Sequence, residues 1–132
     1  MTVKVLAIDD EEGILKVIRR ALEREGYEVD TLSDPLKADL SSPGNYDLIL
    51  LDVMMPGMDG LEMCRKIRET NNIPIIMLSA RSADLDKILG LGTGADDYVT
   101  KPFNPLELTA RVKSQLRRYT QLNPQSGAGN QV

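Results

Sequence analysis

Residues 48–60 read LILLDVMMPGMDG. Four aliphatic residues lead into a carboxylate, Asp52, and a loop with Pro56 and Gly57 follows. A short run that is apolar throughout, bounded by turn residues, is the pattern of a strand covered on both faces. We expect that strand over residues 47–52. Asp59 and Glu62 then supply an N-cap and an N3 acid for a helix beginning in GLEMCRKIRE. The feature to explain is a buried strand that delivers a charged group at its tip.

The same alternation extends in both directions. Residues 3–8 and 27–32 read as strands. Between them, Ile14, Ile18, Ala21 and Leu22 recur at helical spacing until Gly26 stops the helix. Residues 33–45 are weakly patterned, with Pro35, Ser41, Ser42 and Pro43, and hold at most a short helix. Downstream, IPIIMLS at 73–79 is a strand and SADLDKILGLGTGA at 82–95 a helix loosened by Gly90, Gly92 and Gly94. Each interior glycine costs about 1 kcal/mol relative to alanine, so we expect this helix to be mobile. DDYVTK at 96–101 is a fifth strand. Asn104, Pro105 and Glu107 open a last helix to about Arg118 as cap, first-turn proline and N3 acid.

Five strand–helix alternations with apolar strands predict an α/β fold. It is a doubly wound five-stranded parallel sheet, order 2-1-3-4-5, flavodoxin-like or CheY-like, with helices on both faces. With 132 residues there is material for one domain, which we place at 1–120, and a flexible tail or linker at 121–132, where the composition turns to LNPQSGAGNQV. A net charge of −4 argues against a chain-wide nucleic-acid or anionic-membrane surface. The lone Cys64 excludes an internal disulfide and reads as a small core residue beside Leu61 and Ile67. No membrane span and no signal-peptide layout is legible, so a cytoplasmic location is expected.

The polar residues fall at strand ends. Strand one ends in Asp9 and Asp10, strand three in Asp52, strand four in Ser79 and strand five in Lys101. In an open parallel sheet the ligand crevice lies outside the carboxyl ends, where the winding direction reverses. For this strand order that point is between strands one and three. Asp9, Asp10 and Asp52 should therefore converge, with Ser79 and Lys101 on the rim. Three adjacent carboxylates repel, and a hard divalent cation such as Mg²⁺ relieves them. Lys101 and Ser79 then suit the oxygens of an incoming phosphoryl group, and Asp52 is free to act as a nucleophile. Taken singly, each residue has an ordinary explanation: DDEE as a helix cap, Ser79 as a cap, Lys101 as a surface lysine, Asp52 as a loop cap. Four such coincidences at one sheet edge favour the joint reading.

These motifs, IDDE, LLDVMMPGMDG, IPIIMLSA and GADDYVTKPF, occur in the order typical of response-regulator receiver domains of two-component signalling, which residues 3–118 resemble. The resemblance implies that Asp52 is the phosphoacceptor and that Asp9, Asp10, Asp52 and the backbone carbonyl of Met54 bind Mg²⁺. It makes Ser79 and Tyr98 the switch pair and Lys101 the phosphoryl-binding lysine, joined to Pro102 by a cis bond. Ala80 leaves room for the phosphoryl group, and Met54 and Arg81 flank it. The resemblance further implies a sensor histidine kinase as donor, and a switch that catalyses its own phosphotransfer and dephosphorylation at Asp52, not a turnover enzyme.

The C-terminal third is similar to the OmpR/PhoB type, whose receivers precede a winged-helix DNA-binding domain that regulates transcription. No such domain is legible in these 132 residues, so DNA would be reached only through it. Leu108, Val112 and Leu116 share a core stripe of the last helix, and Glu107, Ala110, Arg111 and Arg118 lie on another. The resemblance implies a two-fold homodimer on phosphorylation, with an apolar centre at Ile88 and Leu91. Its charge pairs are Lys87–Glu107, Asp97–Arg111 and Asp96–Arg118. The alternative is a stand-alone receiver that docks to a partner protein. Two other readings fit less well. A flavodoxin-like cofactor binder needs a small-residue phosphate loop where DDEEG stands. An aspartyl-phosphate hydrolase of the haloacid-dehalogenase type needs a general acid at position 54, which is Met.

Overall fold

The computed structural model describes residues 2–34, 45–55, 58–80 and 94–122, with backbone only at 54–55, 58–59 and 120–122. Its main sheet has five parallel strands: β1 (Lys4–Ile8), β2 (Glu28–Leu32), β3 (Leu48–Asp52), β4 (Ile75–Ser79) and β5 (Asp97–Thr100). Their spatial order is β2-β1-β3-β4-β5, as expected. Each strand is one or two residues shorter than the sequence pattern drew it. Three helices are described: α1 (Glu12–Glu23), α2 (Gly60–Thr70) and α3 (Pro105–Leu122).

Side-chain alternation along the strands builds two cores. Val5, Ala7, Leu48, Leu50, Ile76 and Leu78 face a cluster with Leu15, Ile18 and Leu22 of α1 and Leu108 and Val112 of α3. Ile8, Ile49, Leu51, Ile75 and Met77 face the other way, onto Met63, Cys64 and Ile67 of α2. β3 and β4 are buried at every position, which explains their unbroken apolar sequence. On α1 the buried stripe is Leu15, Ile18 and Leu22, with Ile14 only half-buried, so it is rotated slightly from the expected one. Gly26 follows that helix with φ +86, a left-handed conformation that glycine adopts freely.

On α3 the stripes fall as read: Leu108 and Val112 are buried, while Glu107, Ala110 and Arg118 are exposed. Asn104 caps the helix, its Oδ1 accepting from the Leu106 N–H at 2.8 Å. The helix runs on to Leu122, four residues past the expected end at Arg118. A two-residue antiparallel hairpin, Met54–Met55 with Met58–Asp59, occupies what reads in sequence as plain loop. The weak helix around 33–45 and the glycine-rich helix at 82–95, with its expected mobility, fall almost wholly outside the described residues.

Candidate functional site

Backbone hydrogen bonds carry the sheet's order past the strand ends and into the site. The Asp9 N–H donates to Leu32 O at 3.1 Å, Val53 N–H to Leu78 O at 2.9 Å, and Lys101 N–H to Ser79 O at 2.7 Å. The residues at the tips are thereby held by a rigid frame. Asp9, Asp52 and Ser79 are buried, and Asp10 is exposed. The Lys101–Pro102 bond is cis, as the resemblance implies.

One carboxylate oxygen each from Asp9, Asp10 and Asp52 lies within 4.8 Å of the others. The convergence expected from strand order alone is therefore present. Lys101 Nζ reaches into this group, 2.8 Å from Asp9 Oδ2 and 3.4 Å from Asp52 Oδ2, with its side chain only 8% exposed. The approach to Asp9 is too oblique for a hydrogen bond. Asp9 Oδ2 is the buried side-chain oxygen that lacks one among the described residues. Asp9 Oδ1, by contrast, accepts from the Glu11 N–H at 2.9 Å.

The balance of charge is negative. Asp9 and Asp52 repel each other by roughly 3 kcal/mol at this separation and an effective dielectric of about 20. Among the described residues, Lys101 is the one cation paired with Asp9 and Asp52. Burial alone would lower its pKa. The close contact with Asp9 and its charge, then the charge of Asp52 and the contact with Glu11, outweigh that and raise it. The ammonium stays protonated, yet it does not neutralise the cluster. An all-oxygen donor set with an unsatisfied buried carboxylate oxygen fits a hard divalent cation such as Mg²⁺.

One participant was not singled out in the sequence. Glu11 Oε1 accepts from Lys101 Nζ at 3.1 Å. The acid is visible in DDEE, but nothing local says that it turns toward a residue ninety positions away.

Tyr98 is half-buried near the other end of β5, with the Arg111 guanidinium 6.0 Å from its ring centre. Arg111 contacts both Asp97 oxygens, at 2.9 and 3.1 Å, and Glu107 at 3.2 Å, all within one chain. The hydrogen bond to Asp97 is the main cause of a raised Arg111 pKa. Asp96 likewise has an intrachain partner, Arg68, at 2.8 Å. Arg118 is exposed. Lys87, Ile88 and Leu91, and also Arg81, lie outside the described residues.

Arg68 is a second residue without a sequence signal. Its Nε and Nη2 donate to Gly94 O at 3.0 and 2.8 Å, and its Nη1 to Asn71 O and Ile73 O at 3.2 and 2.8 Å. Asp96 Oδ2 accepts from both Arg68 and the Ile75 N–H. This hub ties α2 to the starts of β4 and β5, at the end of the sheet away from the acids. Cys64 is fully buried, and burial pushes its thiol up to about 11. No helix among the described residues is long and apolar enough to cross a membrane.

Several solved structures are similar to this chain in fold. The OmpR/PhoB homolog DrrB of Thermotoga maritima is 39% identical with a TM-score of 0.79, over 90% of this chain and 54% of that one. This chain thus spans about half of DrrB's length. A BeF3-activated receiver domain of DrrB matches at 39% identity and TM-score 0.78, over 89% of this chain and 99% of that one. The Vibrio cholerae chemotaxis protein CheY4 matches at 34% identity and TM-score 0.76, over 86% of this chain and 98% of that one. The family model for the response regulator receiver domain matches residues 5–113, the segment that carries both cores and the acidic site, and the chain belongs to that family of two-component signalling switches.

Proposed function

We propose that this receiver is switched by phosphorylation of Asp52, with a sensor histidine kinase as donor. The observation that carries the reading is the group of three carboxylates within 4.8 Å of one another beside the buried Lys101. Asp52 stands at the tip of a fully buried strand, so its position is set before any donor arrives. A carboxylate oxygen of Asp52 attacks phosphorus and forms an acyl-phosphate bond. The donor's P–N or P–O bond breaks, and the electron pair leaves with the donor. Lys101 and the Ser79 hydroxyl meet the phosphoryl oxygens. Asp9, Asp10, Asp52 and the Met54 carbonyl would hold Mg²⁺. Bound there, the cation would neutralise the acids and offset charge on the transferring group. The BeF3 activation of the DrrB receiver supports this chemistry by similarity.

The readout we propose is a two-fold homodimer built on the segment at 82–95 that reads as a helix in sequence, β5 and α3. It would control a winged-helix DNA-binding output domain and so transcription, as the similarity to the longer OmpR/PhoB homolog DrrB supports. Asp97–Arg111, Asp96–Arg118 and Lys87–Glu107 are its proposed cross-subunit pairs. The first two would share acids that already have partners within the chain. A stand-alone receiver that docks to a partner protein is the second reading, supported by the near-complete coverage of CheY4. We assign the domain to residues 1–120, the linker to 121–132, and the location to the cytoplasm.

Intact mass after incubation with acetyl phosphate tests the first step. One phosphoryl group should appear on wild type with Mg²⁺, and none without it or on Asp52→Asn. Labelling of Asp52→Asn would overturn the assignment. Sizing of the labelled sample separates dimer from monomer.

A further inference from the structure

Lys101 donates its well-formed hydrogen bond away from the phosphoacceptor. Its contact with Asp52 is 3.4 Å, and that with Asp9 is oblique. The bond to Glu11 Oε1, at 3.1 Å, has proper geometry. Glu11 occupies the N-cap position of α1 but makes no side-chain cap. Asp9 Oδ1 holds the Glu11 N–H, which fixes the backbone from inside the site. The Glu11 carboxylate is 61% exposed, so its pairing with Lys101 is weakly held. A phosphoryl oxygen competing for this ammonium would most readily displace the exposed partner, because Asp9 is buried and Asp52 carries the phosphoryl group.

We propose that Glu11 is a positioning residue that parks Lys101 at the rim of the site and must release it before Lys101 can engage the phosphoryl group. The inference rests on the phosphoacceptor reading above. It predicts that removing the contact helps phosphoryl binding. An exposed ion pair has a strength equivalent to about a two- to five-fold change in an equilibrium constant.

The test uses BeF3⁻ titrated at saturating Mg²⁺, followed by ¹⁹F NMR, on wild type and three variants. Glu11→Gln removes charge and contact. Glu11→Asp keeps the charge but is one methylene too short for the contact. Glu12→Gln removes a neighbouring exposed acid that does not touch Lys101, and so reports the general field. Half-saturation should fall about two- to five-fold in both Glu11 variants and stay near wild type in Glu12→Gln. The acetyl phosphate concentration for half-maximal labelling should fall in parallel, with the maximal rate little changed. Equal shifts in Glu11→Gln and Glu12→Gln, or a Glu11→Asp that behaves as wild type, would show that field and not contact matters, and would overturn the proposal. No shift in any variant, with wild type labelled normally, overturns the proposal alone. A wild type that takes neither BeF3⁻ nor phosphoryl overturns the phosphoacceptor reading and this inference with it.

Discussion

The two ends of the sheet treat their charges in opposite ways. At the amino end, Arg68 donates to three backbone carbonyls and to Asp96, and Asp96 in turn accepts the Ile75 N–H. Donors and acceptors match, so that end is closed. At the carboxyl end, among the described residues, Asp9, Asp52 and Glu11 share the Lys101 ammonium with Asp10 beside them, and the buried Asp9 Oδ2 has no hydrogen bond. Such an end is electrostatically unfinished. Stability arises where polar groups satisfy one another, and ligand capacity where they cannot.

Asp52→Asn should break the contrast most completely. Labelling by acetyl phosphate should vanish. Folding stability should rise, by about 1 kcal/mol in a urea titration, because one of the repelling charges is gone. A loss of stability would mean that the carboxyl end is already internally balanced.

The opposite result is expected at the closed end. Arg68→Met should cost about 1–3 kcal/mol, since the part-buried Asn71 and Ile73 carbonyls lose their donor, while the folded fraction still labels. A change below about 0.5 kcal/mol would show the hub to be ornamental.

Gly60 probes how tightly the site is framed. Its N–H donates to Val53 O at 3.1 Å, and a Cβ there would collide with the Asp52 carbonyl oxygen and stand 2.9 Å from Val53 Cα. Gly60→Ala should therefore cost roughly 2–3 kcal/mol and displace Asp52, so that labelling per folded molecule also falls. Unchanged labelling would mean that the site tolerates movement of β3's tip.

A smaller effect sharpens the charge argument. Mg²⁺ at ten times its Kd should stabilise wild type by about 1.4 kcal/mol, and Asp9→Asn markedly less. Equal stabilisation of both would place the cation elsewhere.

The smallest effect belongs to Cys64, which sits in neither charged end. Its thiol is raised to about 11 in the folded chain, against about 8.5 unfolded. The folded state thus holds the proton more tightly. The resulting stability is complete below about pH 8.5 and is lost progressively as pH rises toward the folded value. Iodoacetamide should modify Cys64 slowly at pH 8 and rapidly in denaturant. Fast modification of the folded chain would contradict its burial.

Much of this was legible in the residues. LILLD announced a strand buried on both faces, and alternation of apolar runs with helical periods announced the parallel sheet. Asp9, Asp10, Asp52, Ser79 and Lys101 were placed at strand tips by counting, because a strand's end is a local property and the sheet order brings tips together. Only tertiary structure decided how those tips divide their charges. Glu11 meets Lys101 across ninety positions, and Arg68 meets Asp96 across twenty-eight. A charged residue on an exposed helical turn looks the same in sequence whether it faces water or a distant partner. Its partner is chosen by the packing of other segments, and that choice leaves no mark on the neighbouring residues.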